Sequence, residues 1–442
     1  MRRHRELALK TLRGTAFALL LGQAACGDRV AGPVGEEPAP LQGQVTTPVR
    51  IELPAPPPHD PPPPSASYRL VAEVSPDWTP QEIDAQWGTT TLEQIEGSPF
   101  ALLKMPYDAD YEVLAGELIV SGACVTCERN FYVQAPESEQ GSIAFYEGDL
   151  VNTDYEDQEA VVRVNAPSAN IVATGAGTLV AIVDTGVDGT HPELAGFVRA
   201  DGWDFVANDS DPMDSENDVD DDEDGTVDEA AGHGTHVAGI VHAVAPDAQI
   251  LPLRVLDSDG VGTVFHVAAA IRYATAAGAD VINTSLGFDG YSRVVDWAVQ
   301  EARDAGVVLV ASAGNSGRYN TMHCPANLGG VMSVAAVKAD DTKAPFSNFG
   351  PEVAIAAPGV GIVSTYLFHG YASWSGTSMA APFISAAAAI AREEAPGGSP
   401  AAVRASILNA AARLNHAGQH YEGLLGAGRV DLLPIVLDAS DS

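Results

Sequence analysis

Between residues 166 and 437 the chain repeats one pattern: a short apolar, largely β-branched run, then a stretch with helical spacing. The runs fall at 179–183, 250–256, 281–285, 307–311 and 331–337, and the helical stretches include 264–277 and 292–305. A strand that alternates polar and apolar residues buries one face, whereas one apolar throughout buries both. Strands separated by helices pair in parallel, because the crossover needs the length of a helix. The implied architecture is α/β, a doubly wound and mostly parallel sheet. In such sheets sites form beyond the C-terminal ends of the strands.

Upstream the pattern differs. Residues 68–135 read as a small α+β domain of ferredoxin-like order β-α-β-β-α-β. The expected strands are 68–74, 92–95, 100–105 and 131–133, and a helix is expected over 110–120. A second helix is announced by Thr79 as N-cap, Pro80 at its first position and Glu82 completing a capping box. Residues 136–165 are acidic and mixed and read as a connector. Residues 27–67 are Pro-rich, with Pro61 to Pro64 unbroken, and read as an extended spacer with no capacity for a core. Residues 1–26 have the basic, apolar, small order of an export signal: Arg2, Arg3, Arg5, Lys10 and Arg13, then an apolar run over 16–21, then Ala24, Ala25 and Cys26. Cys26 is a candidate lipid anchor, with ordinary signal-peptidase cleavage or an incidental cysteine as the alternatives. The expected location is outside the cytoplasm, secreted or held at the membrane by lipid. No other run is long enough for a transmembrane helix.

The formal net charge of −36 sets nucleic acid and anionic membrane surfaces aside as partners. Four cysteines do not make a disulfide scaffold. Cys124 and Cys127, as a C-x-x-C pair in an exported chain, point to a local disulfide rather than a metal or redox site.

Four motifs in the last domain carry reactive groups. Asp184-Thr185-Gly186 follows the first buried strand, and Gly232-His233-Gly234-Thr235-His236 opens a helix. Ala313-Gly314-Asn315-Ser316-Gly317 follows another strand, and Gly376-Thr377-Ser378-Met379-Ala380 precedes an Ala-rich helix. Singly, each reads as a turn or cap residue. Together they supply an acid, a base, an amide donor and a nucleophile at strand ends and helix starts. Ser378 needs a base to take its proton, and His233 can do so near neutral pH. Asp184 would fix the imidazole tautomer. The Ser378 amide at a helix start and the Asn315 side chain would hold a developing oxyanion.

These motifs, in this order, resemble those of the subtilases, the subtilisin-like serine proteases of peptidase family S8. Thr190-His191-Pro192-Glu193-Leu194, Phe346-Ser347-Asn348-Phe349-Gly350, Ala356-Ala357-Pro358-Gly359-Val360 and Gly426-Ala427-Gly428-Arg429-Val430-Asp431 are also similar to family segments. The resemblance implies a serine endopeptidase acting on polypeptides, with no cofactor for catalysis. It implies a substrate groove between Ser285-Leu286-Gly287 and Gly260-Val261-Gly262. His323 stands where the family often has Gly at the floor of the main specificity pocket. A smaller, more polar floor that disfavours large aromatic P1 residues follows, the alternative being that His323 points away. Residues 68–135 resemble the family's inhibitory prodomain, with Glu128-Arg129-Asn130 near its close. This implies a zymogen whose own prodomain blocks the groove until it is cut, somewhere over 135–165. A catalytically silent binding domain is the alternative from another class. An esterase would need Gly-x-Ser-x-Gly and the chain order Ser, Asp, His, whereas the order here is Asp, His, Ser.

The acidic insertion before His233 places Asp220, Asp222, Asp224, Asp228 and Glu229 around Gly225. That spacing resembles an EF-hand loop and predicts structural calcium, although Ala231 stands where the closing Glu would be. The alternative is a solvated acidic loop.

Overall fold

Leu179–Asp184 is buried at every position, as an inner parallel strand must be. It lies inside a seven-stranded sheet whose order is 355–358, 332–337, 308–312, 281–284, 179–184, 249–254, 203–204. Neighbouring strands in this sheet run parallel. Chain order reverses beside 179–184, which has 281–284 on one side and 249–254 on the other. Asp184 therefore ends its strand at the topological switch point, where open α/β sheets form their clefts. The expected α/β class is the observed one. This computed structural model describes residues 68–137, 146–147, 150–414 and 421–438, all within one compact unit spanning 62–442. The expectations for 1–26, Cys26 and 27–67 fall outside the described residues. Among the described residues no helix is long and apolar enough to cross a membrane.

Two helices deliver reactive groups to the switch point. Thr377–Glu394 is buried continuously from Thr377 to Arg392, so it is an inner helix apolar all round. His233–Val244 is capped by Gly232 at φ 84°. A methyl group on Gly232 would meet the Tyr366 ring at 2.3 Å, so both conformation and space demand glycine. One residue past the histidine, a methyl group on Gly234 would meet the Gly186 carbonyl oxygen at 2.1 Å. The helix thus starts hard against the strand that ends in Asp184.

The small N-terminal domain has the expected β-α-β-β-α-β order, with an antiparallel sheet ordered 90–94, 100–104, 69–74, 124–129. Thr79 and Glu82 form the predicted capping box. The fourth strand is a correction: it is Cys124–Arg129, not 131–133. Tyr132–Gln134 is also a strand, but it pairs with Val261–Thr263 of the large domain. The predicted disulfide is not formed, since Cys124 and Cys127 are thiols. One face of this sheet packs on its own helices through Leu70, Ile83, Leu103 and Leu118. The other, through Val71, Phe100 and Leu102, joins the apolar cluster of Phe265, Ile271 and Val294.

The end of this domain, Glu128 in its last strand and Asn130 just past it, also caps two helices of the large domain. The Glu128 carboxylate accepts from Arg293 N (2.7 Å), Val294 N (3.0 Å) and Ser292 Oγ (2.8 Å). Asn130 Oδ1 accepts from Phe265 N at 3.2 Å. Both contacts answer unpaired amides at helix starts. The segment read as a connector contains the helices Asn152–Glu156 and Glu159–Arg163. Tyr155 Oη from the first donates to the Gly239 carbonyl at 2.8 Å.

Candidate active site

Asp184 and His233 are both wholly buried. His233 Nδ1 lies 2.6 Å from Asp184 Oδ1, and Nε2 lies 3.2 Å from Glu137 Oε2. Each ring nitrogen faces a carboxylate oxygen, which can only accept, so the ring carries both protons. Burial pulls the imidazole pKa down, but the Asp184 and Glu137 carboxylates outweigh it and raise it to about 10. Trp374 stacks edge-on against His233 at 5.3 Å and closes that side of the ring.

The second histidine of the motif has a structural place. His236 Nε2 sits 3.1 Å from both the Ile362 and Ala372 carbonyls. Burial, then the neighbouring His233, lowers its pKa to about 3, so it stays neutral.

Ser378 occupies the first turn of its helix, and Asn315 lies just past the strand Val308–Ser312. Asn315 Oδ1 accepts from Thr377 N and Thr377 Oγ1, both at 2.9 Å. With the oxygen so engaged, the amide nitrogen must point into the site. There Asn315 Nδ2 donates to Glu137 Oε1 at 2.9 Å, and Ser378 N donates to the same oxygen at 3.3 Å. Ser378 Oγ donates to Glu137 Oε2 at 2.6 Å and lies 3.2 Å from the Ser285 carbonyl. The four groups singled out from the sequence thus converge, three of them on a single carboxylate that sequence reasoning missed.

The two groove segments also face each other. Gln134 exchanges both main-chain hydrogen bonds with Gly287, at 3.0 and 2.9 Å, and Ala135 N donates to the Gly260 carbonyl at 2.9 Å. Val133 lies opposite Gly262. Residues 132–135 therefore run as an added strand between the two edges, the geometry of β-augmentation. Ser285 lends its carbonyl near Ser378, while Leu286 points into the core. A methyl group on Gly287 would meet His323 Cβ at 2.6 Å, and one on Gly314 would meet its Nδ1 at 3.0 Å. Its imidazole fills the gap between those two backbones, with Nε2 3.3 Å from Asp289 Oδ1.

Asp214 opens the acidic insertion. It is in fact buried, accepting from Gly232 N (3.0 Å), Thr235 N (3.0 Å) and Thr235 Oγ1 (2.7 Å). Burial, with the Asp184 charge as a lesser cause, lifts its pKa to about 6. It fixes the start of the helix that carries His233.

Further along the insertion, Asp220, Asp222 and Asp224 bring carboxylate oxygens within 4.8 Å of one another. Asp228 does not join them. At φ 57° it turns its carboxylate back to Asn217 N and Asp218 N, at 2.8 and 2.9 Å. Glu229 Oε2 is buried without a hydrogen-bond partner. Burial first, then repulsion from Asp224, raises its pKa to about 7. Asp259 holds the loop by accepting from Asp221 N and from Asp228 N.

Residues 175–428 match the subtilase family. Thermitase of Thermoactinomyces vulgaris is 41% identical over 269 residues, spanning 59% of this chain and 90% of that one. Subtilisin Savinase of Lederbergia lenta is 36% identical over 277 residues, spanning 60% of this chain and 96% of that one. Among solved structures, fervidolysin from Fervidobacterium pennivorans, a keratinolytic enzyme related to subtilisin, aligns with a TM-score of 0.66 at 25% identity. That alignment covers 83% of this chain and 60% of that one.

Proposed function

The chain belongs to the subtilase family of serine proteases, and on that premise we propose that it is an exported endopeptidase made as a zymogen. Asp184, His233 and Ser378 form its triad, and Asn315 is its oxyanion donor. One observation carries this reading: His233, Ser378 and Asn315 all aim polar atoms at one carboxylate, with Asp184 behind the imidazole.

In the mature enzyme His233 takes the proton of Ser378 Oγ as that oxygen bonds to the substrate carbonyl carbon. The carbonyl electron pair moves onto oxygen, where Asn315 Nδ2 and Ser378 N stabilise it. The imidazolium then returns the proton to the leaving amine, and water repeats the sequence on the acyl-enzyme. Asp184 keeps Nδ1 protonated throughout. Substrates bind as an added strand between residues 260–262 and 285–287, where 132–135 now lies. We assign residues 68–135 as the prodomain, 136–165 as the connector and 166–437 as the catalytic domain, with 1–26 the export signal, Cys26 its candidate anchor and 27–67 the spacer. The alternative of a silent binding domain is not favoured, because none of the four polar groups is replaced. The test is labelling with a fluorophosphonate probe. A shortened wild-type chain that labels, beside a Ser378→Ala chain that does not, supports the reading. A folded mature chain that stays unlabelled refutes it.

We propose that the His323 ring, held close to Gly314 and Gly287, floors the P1 pocket and favours small side chains there. Exchanging His323 for Gly is expected to raise kcat/KM for Phe at P1 relative to Ala by about tenfold or more. A peptide library read on both enzymes checks this, and a wild type already preferring Phe or Tyr contradicts it.

Asp220, Asp222 and Asp224 fit a hard cation by donor type, and Glu229, whose carboxyl feels the Asp224 and Asp222 charges and has a buried oxygen without a hydrogen-bond partner, fits the same charge demand. We propose that calcium binds there structurally; Asp228 belongs to the loop scaffold instead. With calcium at about a hundredfold its dissociation constant, linkage gives about 3 kcal/mol. EGTA is therefore expected to lower Tm by about 5–10 °C, and Asp222→Ala to abolish that response. Equal melting with and without EGTA would remove calcium from the loop.

A further inference from the structure

The side chain of Glu137 is fully buried, although it lies on a segment with no hydrophobic pattern of its own. Burying a carboxylate is unfavourable unless specific donors replace its water. Here the donors are the catalytic groups. Oε1 takes Asn315 Nδ2 and Ser378 N; Oε2 takes Ser378 Oγ and faces His233 Nε2. Gly376 makes the cradle, for a methyl group there would lie 1.7 Å from Glu137 Oε1.

The strand register sharpens the point. Gln134 lies opposite Gly287 in antiparallel sense, and the chain leaves the strand and turns at Pro136 and Glu137. The Ser285 carbonyl is 3.2 Å from Ser378 Oγ. The turn thus brings the Glu137 side chain to the nucleophile. The oxyanion donors are also taken, by a side-chain oxygen rather than a main-chain carbonyl. A carboxylate with one oxygen on the oxyanion donors and the other on the nucleophile and base has the shape of a cleaved product acid. It also keeps a proton on His233 Nε2, where a general base needs a lone pair.

We infer that the catalytic centre is also a carboxylate receptor, that Glu137 is the carboxylate the uncut chain supplies to it, and that this contact restrains self-processing. The inference rests on the roles proposed above for Ser378, His233 and Asn315. It goes beyond strand addition in the groove, because it places the restraint in one side chain at the reacting atoms. The ligand class is a carboxylate reaching the site along the strand, whether the Glu137 side chain or the free acid end of a peptide product.

Two readouts test it. In the first, purified full-length wild type, Glu137→Gln and Glu137→Ala are followed by gel and mass spectrometry as they shorten, with fluorophosphonate added at intervals. Charge-assisted hydrogen bonds of this kind correspond to roughly a ten- to hundredfold effect. Glu137→Ala is expected to shorten and label faster by that factor. Glu137→Gln, which keeps an acceptor and loses the charge, should fall between. In the second, peptides spanning residues 131–137 with amidated ends are assayed as inhibitors of the mature enzyme. The Glu137 peptide is expected to bind about tenfold or more tightly than the same peptide with Ala at that position. Unchanged self-shortening together with equal inhibition by the two peptides overturns the inference while leaving the protease reading intact. A mature chain that neither labels nor cleaves any peptide overturns the protease reading itself, which separates the two failures.

Discussion

Replacing Ser378 or His233 with alanine is expected to lower kcat of the mature enzyme by on the order of a millionfold, a magnitude taken from subtilisin itself. Replacing both should lower it no further. The two side chains act as one unit: a hydroxyl without its base is a poor nucleophile, and a base without the hydroxyl has nothing to activate. Asp184→Asn should cost less, about ten-thousandfold, because the base survives in the wrong tautomer. Turnover of a peptide amide by chains trimmed to the mature length is the measurement, and additive losses in the double variant would refute the unit. The same variants should accumulate untrimmed on a gel.

How much of this was legible beforehand depends on the kind of signal. The buried strands announced themselves because a parallel sheet covered on both faces needs apolar residues at every position, as at Leu179–Asp184. The four residues proposed to act in catalysis stood out because each lies among small residues that close packing requires, such as Gly234 against the Gly186 carbonyl. Cys124–Arg129 was missed as a strand because only its first residue is buried, so no period-two pattern marks it. The aromatic segment 131–133 carried the stronger β signal, and Tyr132–Gln134 does form a strand, but between the groove edges rather than in the sheet expected.

Single carboxylates were the hardest to place. Spacing put Asp228 among metal ligands, yet its backbone conformation turns it to its own loop. Asp214 opens the acidic insertion, was not singled out from the sequence, and is buried at a helix start. Glu137 reaches Ser378 across 241 positions of chain, and no local pattern reports such a contact.

Asn315→Leu is expected to lower kcat by about a hundred- to a thousandfold, again the scale known for this donor in subtilisin itself, with KM nearly unchanged. The reason is differential binding. Asn315 is locked by Thr377, so on the proposed mechanism its amide is already aimed where negative charge would collect as the carbonyl carbon becomes tetrahedral. A donor that meets charge only in the transition state changes kcat and leaves substrate binding alone. A rise in KM with kcat intact would instead mean that Asn315 merely holds substrate. In the uncut chain the same amide donates to Glu137. Removing it should therefore slow the mature enzyme and weaken the hold on the Glu137 carboxylate together. Comparing peptide turnover with inhibition by the 131–137 peptide, in the one variant, separates the two uses of a single hydrogen bond.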